Sequence, residues 1–122
     1  MKIRIKGNSI RIRLTKTEVE NFGKFGVLED ATEFGNTILK YAIESKSTID
    51  QLQASFENNR IAVWIPENIK QEWVSTERIG FENKFNIGND KQLFLLIEKD
   101  FVCLDNTFED QSDNYPNPNA VC

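Results

Sequence analysis

The opening fourteen residues, MKIRIKGNSIRIRL, constrain this chain more than any other stretch. Isoleucines and basic residues alternate on both sides of Gly7-Asn8, a dipeptide suited to the positive φ angles of two-residue hairpin turns. Such a turn sets Lys6 against Ser9, Ile5 against Ile10, Arg4 against Arg11, Ile3 against Ile12 and Lys2 against Arg13. One face then carries Ile3, Ile5, Ile10, Ile12 and Leu14, and the other Lys2, Arg4, Lys6, Arg11 and Arg13. A three-residue loop would oppose Lys6 to Ile10 and mix the faces, so the pattern selects the register. That register places like charges directly opposite each other, which is unfavourable unless an anion or acidic side chains share the face.

The charge balance sharpens the point. The whole chain of 122 residues carries a net −4, yet residues 1–16 hold six of the 15 basic residues and no acid. The other 106 residues set nine cations against nineteen acids, a balance of −10. An acidic total speaks against nonspecific binding to DNA or to an anionic membrane, both of which need a broad positive field. A local basic patch can still hold a small anion. The alternative is that acids on neighbouring strands, with Glu44, Glu57 and Glu98 as candidates, neutralise it from within.

The chain has no histidine. Its absence removes the usual general base near pH 7, the commonest zinc ligand and any Ser-His-Asp triad. No cofactor motif is read. Cys103 and Cys122 make no disulfide framework and are expected as free thiols, Cys103 as a small buried hydrophobe. The longest apolar run, Leu93–Ile97, is too short to cross a bilayer, and the first strand has no apolar signal region. A cytoplasmic address is therefore expected. Oligomeric state is not read from the pattern.

After the hairpin, Thr15-Lys16-Thr17-Glu18 has capping-box spacing, and a short helix is predicted to carry Val19 and Phe22 inward and close at Gly23. Residues 24–36 read as loop, with Val27, Leu28 and Phe34 tucked into the core. Thr37–Ser45 alternates as a strand, with Leu39, Tyr41 and Ile43 inward. Residues 49–65 repeat the opening grammar around Asn58-Asn59, pairing Phe56 with Ile61 and Ala54 with Val63. Pro66 opens a second short helix with Ile69 and Trp73 buried. Phe81, Phe85 and Ile87 mark the next strand. Gln92–Ile97 is a nearly continuous apolar strand, either buried on both faces or lying centrally. Asn8–Leu14 lies over Asn59–Ile65 without a gap, so the halves read as a ββαβ internal duplication or as two hairpin–helix units alike by chance.

The expected fold class is α+β: a curved antiparallel sheet or small β-barrel with two short helices on its open side. Residues 1–104 form a single domain in this reading. Residues 105–122 form an acidic C-terminal segment, extended or disordered, whose anchors would be Phe108 and Tyr115. If that segment folds back, its acids could meet Arg4 and Arg11. Glu109, Asp110 and Asp113 are hard oxygen ligands and weak candidates for Mg²⁺ or Ca²⁺, although their spacing is not that of an EF-hand loop.

Three resemblances bear on function. A basic barrel interior would resemble triphosphate-tunnel enzymes, but Lys2, Arg4 and Lys6 stand where those enzymes carry a glutamate-rich metal motif on the first strand. Residues 7–19, GNSIRIRLTKTEV, look like the start of the AbrB/MazE-type DNA-binding fold over roughly a tenth of the chain. The whole chain resembles a family of small uncharacterised bacterial proteins that open with MKIRIKGNSIR-x-RL and close with an acidic segment and Pro-Asn-Pro, here Met1–Leu14 and Glu109–Pro118. That resemblance implies continuity of fold and no catalytic residues. The leading expectation is a non-enzymatic binding module that takes a small anion or an acidic partner segment on Lys2, Arg4, Lys6, Arg11 and Arg13. The alternatives are a metal-dependent enzyme acting on a phosphorylated substrate and a DNA-binding regulator.

Overall fold

Gly7 takes a left-handed φ of +53°, and the strands on either side pair Lys2 with Arg13, Ile3 with Ile12, Arg4 with Arg11 and Ile5 with Ile10. This is the register the alternation predicts. The computed structural model describes residues 1–101 and 112–116. In chain order it contains β1 (Lys2–Ile5), β2 (Ser9–Leu14), α1 (Lys16–Phe25), β3 (Val27–Glu33), β4 (Ile38–Lys46), β5 (Gln53–Glu57), β6 (Arg60–Pro66), α2 (Glu67–Ser75), β7 (Gly80–Gly88) and β8 (Lys91–Lys99). Among the described residues no helix is long and apolar enough to cross a membrane.

The fold is α+β and mostly sheet, but it is neither one antiparallel sheet nor a barrel. Two open four-stranded sheets have the orders β1-β2-β8-β7 and β3-β4-β6-β5. Each joins two antiparallel hairpins through a central parallel pair, β2 with β8 and β4 with β6. Each sheet takes one hairpin from before a helix in one half of the chain and one from after a helix in the other half. Substituting β5 for β1, β6 for β2, β7 for β3 and β8 for β4 turns one strand order into the other. The repeating unit is thus ββαββ, one strand longer than the sequence suggests.

The extra strand is β3, where a loop is expected. Its sequence VLEDATE lacks apolar alternation because it is an edge strand, exposed along most of its length. Leu28 packs against the core, whereas Val27 and Phe34 stay exposed.

The inner faces of both sheets bury Ile10, Ile12 and Leu14 with Ile43, Val63, Ile65, Leu95 and Ile97, joined by Phe22 and Trp73 from the helices. The Trp73 ring meets Phe81 edge-on at 5.1 Å, and its indole N–H donates to the Ile79 carbonyl at 3.0 Å. Thr15 and Glu18 form the expected capping box at the start of α1. The helix does not close at Gly23. It runs on to Gly26, whose φ of +72° and N–H bond to the Phe22 carbonyl make the cap. Gly23 instead sits where α1 meets α2: a Cβ there would lie 2.7 Å from Val74 Cγ1.

Residues 112–116 lie back on the domain. The Tyr115 N–H donates to the Asp100 carbonyl at 2.8 Å, and the Lys16 N–H donates to the Asp113 carbonyl at 3.1 Å. Most of the 105–122 segment, with Phe108 and Cys122, lies outside the described residues, as does Cys103.

Candidate functional site

Register partners share a face, so pairing defines what stands on the outer side of the first sheet. One row across it is Arg4, Arg11, Leu96 and Glu82; the next is Lys2, Arg13, Glu98 and Gly80. At the hairpin end lie Ser9, Phe94 and Lys84, with Lys6 beside Ser9. The five predicted cations are therefore brought together on one surface, as the alternation requires.

Glu98 from β8 answers the repulsion built into the hairpin. Its Oε1 accepts from Arg11 Nε and from Arg13 Nε, both at 2.8 Å, and lies 2.6 Å from Arg11 Nη2. Charge-assisted bonds of this kind are shorter and stronger than neutral ones. The Glu98 side chain is only 16% exposed against 33% for Arg11 and 41% for Arg13, so one carboxylate holds two guanidinium groups in place from beneath. Lys2 Nζ stands 3.0 Å from Asp100 Oδ2, a buried oxygen with which it is not aligned as a hydrogen bond. Arg4 and Lys6 are exposed and take no side-chain partner among the described residues. Glu98 and Asp100 answer part of the face, and Arg4, opposite Arg11, has no carboxylate partner among the described residues.

Two shallow depressions open here. One, of about 200 Å³, is lined by Lys2, Ile3, Arg4, Arg11 and Arg13. The other, of about 220 Å³, is lined by Arg4, Lys6, Ser9, Ile10, Arg11, Phe94 and Leu96. Arg4 and Arg11 belong to both.

The second sheet repeats the plan with different chemistry. Glu44 stands opposite Trp64 as Glu98 stands opposite Arg13. Arg60 donates to Glu44 at 2.6 Å and to Glu29 at 2.7 Å, and the Trp64 indole donates to Glu44 at 3.0 Å. The Arg60 hydrogen bond holds the Glu44 carboxyl below its ordinary pKa. Lys46 Nζ lies 3.6 Å from the centroid of the Trp64 ring, a cation–π contact. A wider depression of about 370 Å³ lies there, but the arginine in its wall already has two carboxylates.

The metal candidates do not come together among the described residues. Glu109 and Asp110 lie outside them. Asp113 is used at the first turn of α1, where its Oδ1 accepts from the Thr17 hydroxyl at 3.0 Å. Hydrogen bonds from Thr15 and Thr17 hold its carboxyl below the ordinary value, and a helix start favours negative charge. No group of three or more His, Cys, Asp or Glu side chains converges among the described residues. The segment's other acids, Asp105, Glu109 and Asp110, which were expected to meet Arg4 and Arg11, lie outside the described residues.

Sequence reasoning missed two contributors to this face, and a buried lysine behind it. Phe94 and Leu96 belong to a run that is apolar at every position, so nothing in it says which residues face outward; only the pairing with Ser9 and Arg11 does. Lys99 is buried at the end of β8, donating to the Thr76 carbonyl at 2.8 Å, with the Tyr115 ring 5.3 Å away. Burial lowers its pKa.

Residues 1–119 match the family of unknown function DUF7009, and the chain belongs to that family. No curated protein matches, and no solved structure matches. The resemblance to AbrB/MazE-type domains supplies no more than the local strand-then-helix order at Ser9–Phe25.

Proposed function

We propose that this member of a family of unknown function is a non-enzymatic binding module that takes an anion on the outer face of its first sheet. The ligand is a small anion or a carboxylate-bearing partner, held by Arg4, Arg11 and Arg13 with Lys2 and Lys6 at the margins. The observation that carries the reading is the pairing of an exposed Arg4, without a side-chain partner among the described residues, with an Arg11 already fixed by Glu98. A guanidinium held in place loses less freedom on binding than a mobile one, and its planar donors suit carboxylate and phosphate. The hairpin then carries its cross-strand repulsion because the anion relieves it. A cytoplasmic setting, where phosphates and carboxylates abound, fits this reading.

Thermal unfolding at constant ionic strength tests it. Replacing chloride by phosphate is expected to raise the Tm of the wild-type protein, because a ligand of the native state stabilises by mass action. Arg4→Ala and Arg11→Ala should lose that increment. An equal increment in all three proteins would mean that phosphate acts elsewhere. The metal-dependent and DNA-binding alternatives have no observation among the described residues in their favour.

A further inference from the structure

Phe94 and Leu96 are out of place on a charged outer face. Both are half-buried, and they lie in the rows of Ser9 and Arg11, bordered on the far strand by Lys84 and Glu82. A site built for a bare inorganic anion has no use for an apolar floor beside its arginines. The two depressions described above share Arg4 and Arg11, so the second continues from the first over the Phe94 and Leu96 side chains. Cations line both, and the second adds the side chains of Phe94 and Leu96 beside the guanidinium pair that the two share.

We infer that the ligand of this face is a small amphiphilic anion, its anionic head between Arg4 and Arg11 and its aryl or alkyl part lying on Phe94 and Leu96. The inference rests on the anion-binding reading above and narrows it to a ligand class. Size favours a small molecule over a peptide: the depressions, at about 200 and about 220 Å³, together sit at the small end of the roughly 300–1,000 Å³ typical of ligand sites. They would take one ring or a short branched chain plus a head group. Guanidinium groups accept either a phosphate monoester or a carboxylate as the head, so both heads belong in the test.

The test uses the full chain and a series of defined probes: inorganic phosphate, methyl phosphate, phenyl phosphate, acetate and benzoate. Dissociation constants come from ³¹P line shifts for the phosphates and from ligand proton shifts for acetate and benzoate. Phenyl phosphate is expected to bind roughly five- to tenfold more tightly than inorganic phosphate, with methyl phosphate between them, as partial burial of an aryl group implies. Benzoate binding with a similar gain over acetate would assign the head as carboxylate; phenyl phosphate binding alone would assign it as phosphate. Leu96→Ser, and separately Phe94→Ser, should bring the affinity for phenyl phosphate down towards that for inorganic phosphate in the same variant. The wild-type series decides the matter even where a variant fails to fold. Equal affinity for inorganic, methyl and phenyl phosphate, all lost in Arg4→Ala, would overturn the amphiphilic ligand and leave the anion site standing. No binding of any probe, or binding indifferent to Arg4→Ala, would overturn both.

Discussion

Glu98 is four-fifths buried and shares one oxygen between Arg11 and Arg13, so it carries more than an exposed ion pair would. Glu98→Gln keeps the shape and removes the charge. It is expected to cost about 1.5–3 kcal/mol, the range for hydrogen bonds to charged groups. Sulfate at constant ionic strength should restore more of that loss than it adds to the wild type, because the uncovered arginines then take the anion. Urea unfolding in the two salts measures both effects; a variant as stable as wild type would show that the arginines do not need the carboxylate. Lys99 makes a second case at this scale. Burial holds its pKa below the ordinary 10.5, so between the lowered value and 10.5 the unfolded chain binds more protons than the folded one. Stability contributed by this residue therefore rises with pH across that window. The wild type should gain on Lys99→Met as the pH rises towards 10.5, read from urea midpoints. Parallel pH profiles for the two proteins would contradict the assignment.

At the scale of elements, the two helices meet in close contact at Gly23. Gly23→Ala places a methyl 2.7 Å from Val74 Cγ1. Overpacking costs typically about 1–3 kcal/mol, offset by roughly 1 kcal/mol of better helix propensity. A net loss of up to about 2 kcal/mol is expected. In a Val74→Ala background the clash is gone, and Gly23→Ala should be neutral or stabilising; a double-mutant cycle without coupling would refute the contact. Gly23 also shows where sequence reading stops. Five residues after Glu18 closes its capping box, a glycine looks like a helix end, and only the neighbouring helix reveals that it marks a close approach. The hairpins were legible because alternation about Gly7-Asn8 and Asn58-Asn59 admits one register each, and the basic face came with the first of them. The edge strand β3 was not legible, since Glu29, Asp30 and Glu33 sit on an edge with little core to reward alternation. The apolar floor at Phe94 and Leu96 was hidden for the opposite reason, a run from Leu93 to Ile97 apolar at every position with no neighbour yet assigned.

At the scale of the molecule, the exchange of hairpins between the halves makes each sheet a joint product. Cutting between β4 and β5 gives residues 1–50 and 51–122, and each piece keeps hairpins while losing both parallel seams. Isolated two-stranded hairpins are marginal in water. Each fragment alone is expected to give the circular dichroism of a largely unfolded chain, and an equimolar mixture should recover the native spectrum. A fragment folded alone as a monomer would contradict the shared-sheet account. The same exchange places β8 of the second half beside the opening hairpin, delivering Glu98, Phe94 and Leu96 to Arg11, Arg13 and Ser9. The most direct measurement of the central claim is a ¹⁵N titration of the intact protein with sulfate at constant ionic strength, following backbone amides and arginine Nε–H groups. The account predicts saturable shifts confined to residues 2–13 and 92–98, largest at Arg4 and Arg11 and absent in Arg4→Ala. Linear, unsaturable shifts across the surface, or saturable ones centred on Arg60 and Trp64, would contradict it.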